Sequence, residues 1–110
     1  MVAVAADDVS PIPDFGDVIC TRDENGIHTN VPRRIIFHSL DGFEWGYGGS
    51  GPADFALNIL SLFMEREDAW RYHQFFKWDV IAYIPPEGGI IKKIDIFHWI
   101  TNITKEVKMT

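Results

Sequence analysis

The apolar positions of the chain change period near its middle. Up to Tyr47 they come in short runs of extended type, and from Ala53 onward they recur at helical spacing. Asp17-Val18-Ile19-Cys20-Thr21-Arg22 has a β-branched centre and predicts a strand. Asn25-Gly26 is a favoured tight-turn dipeptide because both residues tolerate positive φ, so Ile27 to Val31 is expected to return antiparallel. Pro32 breaks that strand or marks an edge. Arg33 to Leu40, centred on Ile35, Ile36 and Phe37, predicts a further extended segment. Asp41-Gly42 marks a second turn after which Phe43 to Tyr47 pairs back.

The second half reads as helix. Phe55, Ile59, Leu62 and Phe63 fall at i, i+4, i+7 and i+8, and Leu57, Leu60 and Met64 widen the apolar face. A helix from Ala53 to Met64 is therefore expected at the centre of the core. Glu65 to Asp68 breaks the pattern. Asp68 is placed to cap a second helix from about Ala69 to Ile84, which Pro85-Pro86-Glu87-Gly88-Gly89 stops. A last short helix is expected from about Lys92 to Ile103, with Lys105 to Thr110 fraying. The fold class that follows is α+β: small N-terminal antiparallel β-hairpins packed against two or three C-terminal α-helices. Residues 1–16, with Pro11 and Pro13, read as a flexible acidic arm, and 17–110 as a single α+β domain.

Composition narrows the classes of function. At 110 residues and 46% apolar content the chain has enough core for one domain. A lone cysteine, Cys20, excludes an internal disulfide framework or a cysteine-rich zinc site, and cytoplasmic residence fits best. No apolar run approaches the roughly 20 residues that span a bilayer. Residues 1–30 hold six acids against Arg22, whereas residues 31–110 hold ten acids and nine bases, so the acidity belongs to the N-terminal third. Direct nucleic-acid binding is disfavoured, because phosphate contacts need clustered Lys and Arg. An acidic arm attracts a basic partner surface, or simply keeps the N-terminus solvated.

The most unusual block is Gly42-Phe43-Glu44-Trp45-Gly46-Tyr47-Gly48-Gly49-Ser50-Gly51-Pro52-Ala53-Asp54. Gly48, Gly49, Ser50 and Gly51 open a helix, where backbone N–H groups and the positive dipole end can hold an anion. The block lacks the Lys and the spacing of a phosphate loop. The plainer expectation is a tight turn whose glycines let Trp45 and Tyr47 pack over backbone. His28, His38, His73 and His98 show no metal-ligand spacing, and no metal or cofactor is expected. His38, Ser39 and Asp41 cannot form a triad, since neighbours in an extended segment point to opposite faces. Glu65, Glu67, Asp68 and Asp54 sit where acids serve helix starts.

The run His38 to Leu57, with its Gly-Phe-Glu-Trp-Gly-Tyr-Gly-Gly-Ser-Gly-Pro core, resembles the signature of a small uncharacterised bacterial domain-of-unknown-function family also met in phages and mobile elements. Tyr72 to Ala82 is similar to its second helix and Ile94 to Ile100 to its closing helix, so the resemblance covers about residues 17–103 and leaves out the acidic arm. It implies no assigned activity. It does imply a phage or mobile-element setting, in which a small inhibitor of a host defence system is the expected type of protein.

The function expected is thus non-enzymatic: an anti-CRISPR-like protein that occupies a surface of a host protein or complex. The contact residues expected are Asp7, Asp8, Asp14 and Asp17 of the acidic third, and Trp70 and Trp78 of the second helix. That helix carries more aromatics than one slender domain easily buries. A homodimer through the same surplus is a further expectation. The alternative is a small-ligand or nucleotide-binding protein using Gly48, Gly49, Ser50 and Gly51.

Overall fold

The computed structural model describes residues 4–5 and 9–109, with side chains from 9 to 106. In chain order the elements are β1 (Val4–Ala5), β2 (Val18–Asp23), β3 (Gly26–Thr29), β4 (Ile35–Ile36), α1 (Ser50–Phe63), α2 (Arg66–Asp79), a 3-10 turn (Ile81–Tyr83), β5 (Gly88–Ile91) and α3 (Lys93–Met109). Three antiparallel strands in the order β3-β2-β5 form the main sheet, and β1 and β4 form a separate two-stranded ladder. The architecture is α+β, with three α-helices among the described residues.

α1 is the axis of the fold. Every residue from Gly51 to Leu62 is buried. Phe55, Leu57, Ile59, Leu60 and Leu62 are sealed from solvent, and each such side chain contributes roughly 1.5–3 kcal/mol over exposure. That sum easily outweighs the weak helix propensity of Ser50 and Gly51. One side of α1 packs on Ala69, Tyr72 and Phe76 of α2, and Val18, Cys20 and Ile91 of the sheet join the same core. Val18 and Cys20 face inward, while Ile19 faces solvent opposite Ile90.

Several boundaries differ from the sequence expectation, each for a physical reason. The hairpin turn is centred on Glu24–Asn25, one residue earlier than Asn25-Gly26, with Asp23 paired to Gly26. The Asn25 N–H donates to Asp23 Oδ1, a local turn that fixes the register. Gly26 supplies the positive φ, +110°. The Arg33–Leu40 strand shrinks to Ile35–Ile36, and Phe43 to Tyr47 pairs with no strand. The backbone donors there go elsewhere: Phe37, His38 and Ser39 to the Asp54 carboxylate, Gly46 to the Ile81 carbonyl.

α2 starts at Arg66, not Ala69, so Asp68 lies within its first turn and not at its cap. The helix ends at Asp79, where the 3-10 turn takes over. Gly88–Ile91, directly after the Pro85–Pro86 stop, forms a strand. α3 continues to Met109, well past Ile103. Within the stretch read as an arm, Val4 and Ala5 pair with Ile36 and Ile35. The Ile12 N–H donates to Leu62 O, and Val9 and Phe15 pack against the core. No helix among the described residues is long and apolar enough to cross a membrane.

Candidate functional site

A polar stripe runs along buried α1. Asp54, Asn58 and Ser61 fall at i, i+4 and i+7, on one side of the helix. All three are sealed from solvent. Asp54 accepts the backbone N–H groups of Phe37 (3.1 Å), His38 (2.8 Å) and Ser39 (3.0 Å). Asn58 copies a strand edge: its Oδ1 accepts from Arg34 and Ile35, and its Nδ2 donates to the carbonyls of Ile35 and Asp54. Arg34 in turn ties Ser61 to the Ser10 carbonyl. Residues 34–39 are therefore held in place by side chains of the central helix, which aims His38 at α2.

There His38 Nε2 meets His73 Nε2 at 2.9 Å. His73 is 2% exposed. Its Nδ1 lies 2.6 Å from the Trp70 carbonyl, which can only accept, so Nδ1 carries the proton. Burial pushes both imidazoles below the ordinary histidine pKa, and His73 is pushed further by His38. With both rings neutral, His73 Nε2 must accept and His38 Nε2–H must donate. The Trp70 ring stacks on His38 (centroids 5.9 Å apart, 7° between planes) and on His73 (4.8 Å, 28°), and Phe37 meets it edge-on at 4.4 Å. Trp70 is 45% exposed yet held on three sides.

The glycine block is filled by the chain's own side chains. A Cβ on Gly48 would stand 2.1 Å from the Trp78 ring, one on Gly49 2.4 Å from Tyr47, and one on Gly51 2.8 Å from the Glu44 Cβ. Ser50 begins α1 and is exposed. Tyr47 thus packs over backbone as expected, but the second ring is Trp78, not Trp45. Trp45 is 2% exposed and lies against Phe55. Its Nε1 donates to the Pro86 carbonyl. Arg22 reaches the same carbonyl through Nε, grips both Glu44 oxygens and lies over the Trp45 ring. That grip is the main reason the Glu44 carboxyl sits below its usual range.

Trp78 is 57% exposed although Gly48 lies beneath it, and Lys77 Nζ sits 4.6 Å from its ring centroid. Trp70, Arg71, Gln74, Phe75 and Trp78 are all exposed, so they form one outward face of α2. Of the acids expected to share the contact, Asp14 and Asp17 are among the described residues. Asp7 and Asp8 lie outside the described residues. Asp14 is exposed. Asp17 accepts the Lys93 N–H at 2.8 Å, so its carboxylate fixes the start of α3. Among the described residues no three His, Cys, Asp or Glu side chains come together as a metal site.

A family of unknown function (DUF6166) matches residues 13–102. The chain belongs to that family. No curated protein and no solved structure matches it. The DUF6166 span contains the polar stripe of α1, the histidine pair, the glycine block and the whole of α2. It leaves out β1 and the last residues of α3.

Sequence reasoning missed the histidine pair and Arg22. His38 and His73 are 35 residues apart with no local pattern to link them. The polar stripe did leave a signal, Asp-x-x-x-Asn-x-x-Ser inside an otherwise apolar helix.

Proposed function

We propose that this chain is a non-enzymatic binding module that works by occupying a surface of another protein. The observation that carries the reading is the outward face of α2: Trp70 and Trp78 stay about half exposed while each rests on a bed, the stacked histidine pair under Trp70 and the Gly48 backbone under Trp78. Large aromatics already packed on one side lose less freedom on docking than free ones, which is what binding hot spots need. Phe75 and Tyr47, both exposed, extend the apolar area of this region. The phage or mobile-element setting implied by the glycine-block signature makes a host defence complex the target class, and occlusion the mode of inhibition. Exposed Asp14, together with Asp7 and Asp8, supplies negative charge for a basic surface on that target.

The test is capture from a host lysate by the tagged full chain, by Trp70→Ala/Trp78→Ala, and by Tyr83→Ser as an exposed control elsewhere. Circular dichroism confirms that each is folded. The double variant should lose the captured proteins while the control keeps them. An identical set of captured proteins with the double variant would sink the proposal.

A further inference from the structure

The ladder between β1 and β4 is two residues long, Val4 with Ile36 and Ala5 with Ile35. Its two sides are unequal. On the inner side Ile35 gives both its N–H and its carbonyl to the Asn58 side chain, so that edge is closed from within. Successive residues of a strand aim their backbone groups to opposite sides, so those of Ile36 point outward, toward Val4. A two-residue ladder at an edge is among the more easily opened parts of a fold. β4 lies inside the DUF6166 span and β1 outside it. The common module therefore carries a strand edge whose cover is supplied by the chain's N-terminal extension.

Beside that edge opens a groove of about 640 Å³. Ile35, Phe37 and Leu57 give it apolar walls, and α2 contributes Trp70 together with Arg66 and Arg71 on either side of Glu67. Neither arginine has an ion-pair partner among the described residues. A strand edge covered only by a two-residue ladder, next to an apolar, net-positive groove, has the features of strand-addition sites, in which main-chain bonds give affinity and the groove gives selectivity.

We propose that the β4 edge and this groove dock an extended acidic segment of a partner protein, apolar residues first and carboxylates after. Val4–Ala5 of the chain itself covers the edge until that segment displaces it. The inference rests on the reading of the chain as an interaction module and names the chemistry of one partner segment. Ile36 requires a strand, the groove walls require apolar side chains, and Arg66 and Arg71 require carboxylates. Val4–Ala5 is thus the built-in competitor, and in sequence it runs on into Ala6-Asp7-Asp8, apolar first and acidic after.

The test uses the full chain and a labelled synthetic peptide with the sequence of residues 2–10. Val4→Pro removes the N–H that the ladder needs and leaves the edge uncovered. By fluorescence anisotropy, Val4→Pro should bind the peptide at least about tenfold more tightly than the native chain, equivalent to about 1.4 kcal/mol. Binding should weaken as salt rises and be lost when Arg66→Glu and Arg71→Glu are added. No binding to Val4→Pro, equal binding to both chains, or indifference to the arginine reversals would overturn the site. A native chain that is a dimer exchanging its N-terminal segments would overturn the partner assignment, since a second copy would then be the occupant. Failure here with lysate capture still dependent on Trp70 and Trp78 removes only this site; loss of both removes the module reading.

Discussion

Replacing Asn58 by alanine should cost the fold roughly 2–6 kcal/mol. Four hydrogen bonds of 2.8–2.9 Å disappear, but they do not count equally. The Asp54 carbonyl keeps the backbone N–H of its own helix turn. The Arg34 N–H is partly exposed and can turn to water. The Ile35 N–H and carbonyl cannot, because the residue is 4% exposed, and each orphaned group costs about 1–3 kcal/mol. A domain of this size has a total stability of only about 5–15 kcal/mol, so the loss is a large share of it. Asn58→Leu separates the hydrogen bonds from the void, since it fills the space and orphans the same two groups. The assay is urea unfolding followed by tryptophan emission. Both variants should lower the midpoint with little change in slope. Either variant within about 1 kcal/mol of the native chain would refute the claim that a helix side chain acts here as the missing strand partner.

Gly88→Ala should lower the melting temperature by about 10 °C or more, because its Cβ would meet the Cys20 carbonyl at 2.1 Å and its φ of +105° is strained for any side chain; an unchanged Tm counts against the β2–β5 register. Burial holds His38 and His73 below the usual histidine value of 6.5, so below that pH the unfolded chain takes up protons that the folded chain does not. Stability should therefore be full above about pH 6.5 and fall as pH drops toward the folded-state values, and His73→Phe should flatten that fall in denaturation midpoints taken at several pH values. Gly48→Ala should lift the Trp78 ring, changing near-UV circular dichroism with less than about 1 kcal/mol lost because the ring is exposed. Nucleotides and phosphorylated metabolites should leave the melting temperature unmoved; a shift abolished by Gly49→Val would relocate the function to the turn before α1.

The parts of the fold legible in the sequence are those whose signal is local. α1 is written in the spacing of Phe55, Ile59 and Leu62, and the β2–β3 hairpin in two extended runs about a turn dipeptide. β5 was hidden because Gly88-Gly89-Ile90-Ile91 after two prolines has the composition of a loop. Its strand state comes from β2, whose Val18 to Thr21 supply the partners. Gly88 has to be glycine because the Cys20 carbonyl lies where a side chain would go. The start of α2 at Arg66 is not legible, because the capping signal of Asp68 competes with the helix-forming run Arg66-Glu67. The loop from Phe37 to Tyr47 could not be read as irregular, since what keeps it from pairing is a carboxylate on another element, Asp54.

The same distinction explains why the α2 surface was only half visible. Counting aromatics identifies a surplus but does not say which rings are buried. Trp45 disappears into the core beside Phe55, and Trp99 is tied to Asp79 and packs edge-on against Phe76. Trp70 and Trp78 remain outside, and what distinguishes them is the fixed bed under each: neutral imidazoles under one, bare backbone under the other. A histidine bed has a consequence that a purely apolar one would lack. Protonating His73, whose bare nitrogen is Nε2, would put charge into the buried Nε2–Nε2 contact and place two N–H donors face to face, so the bed that orients Trp70 would loosen in acid. Binding through Trp70 should then weaken below the pH at which the pair takes up a proton, whereas binding through Trp78 alone should not. Capture repeated at pH 7.5 and 5.5 with Trp70→Ala and Trp78→Ala singly tells the two apart. A pH response that survives Trp70→Ala would show that the imidazoles do not act through that ring.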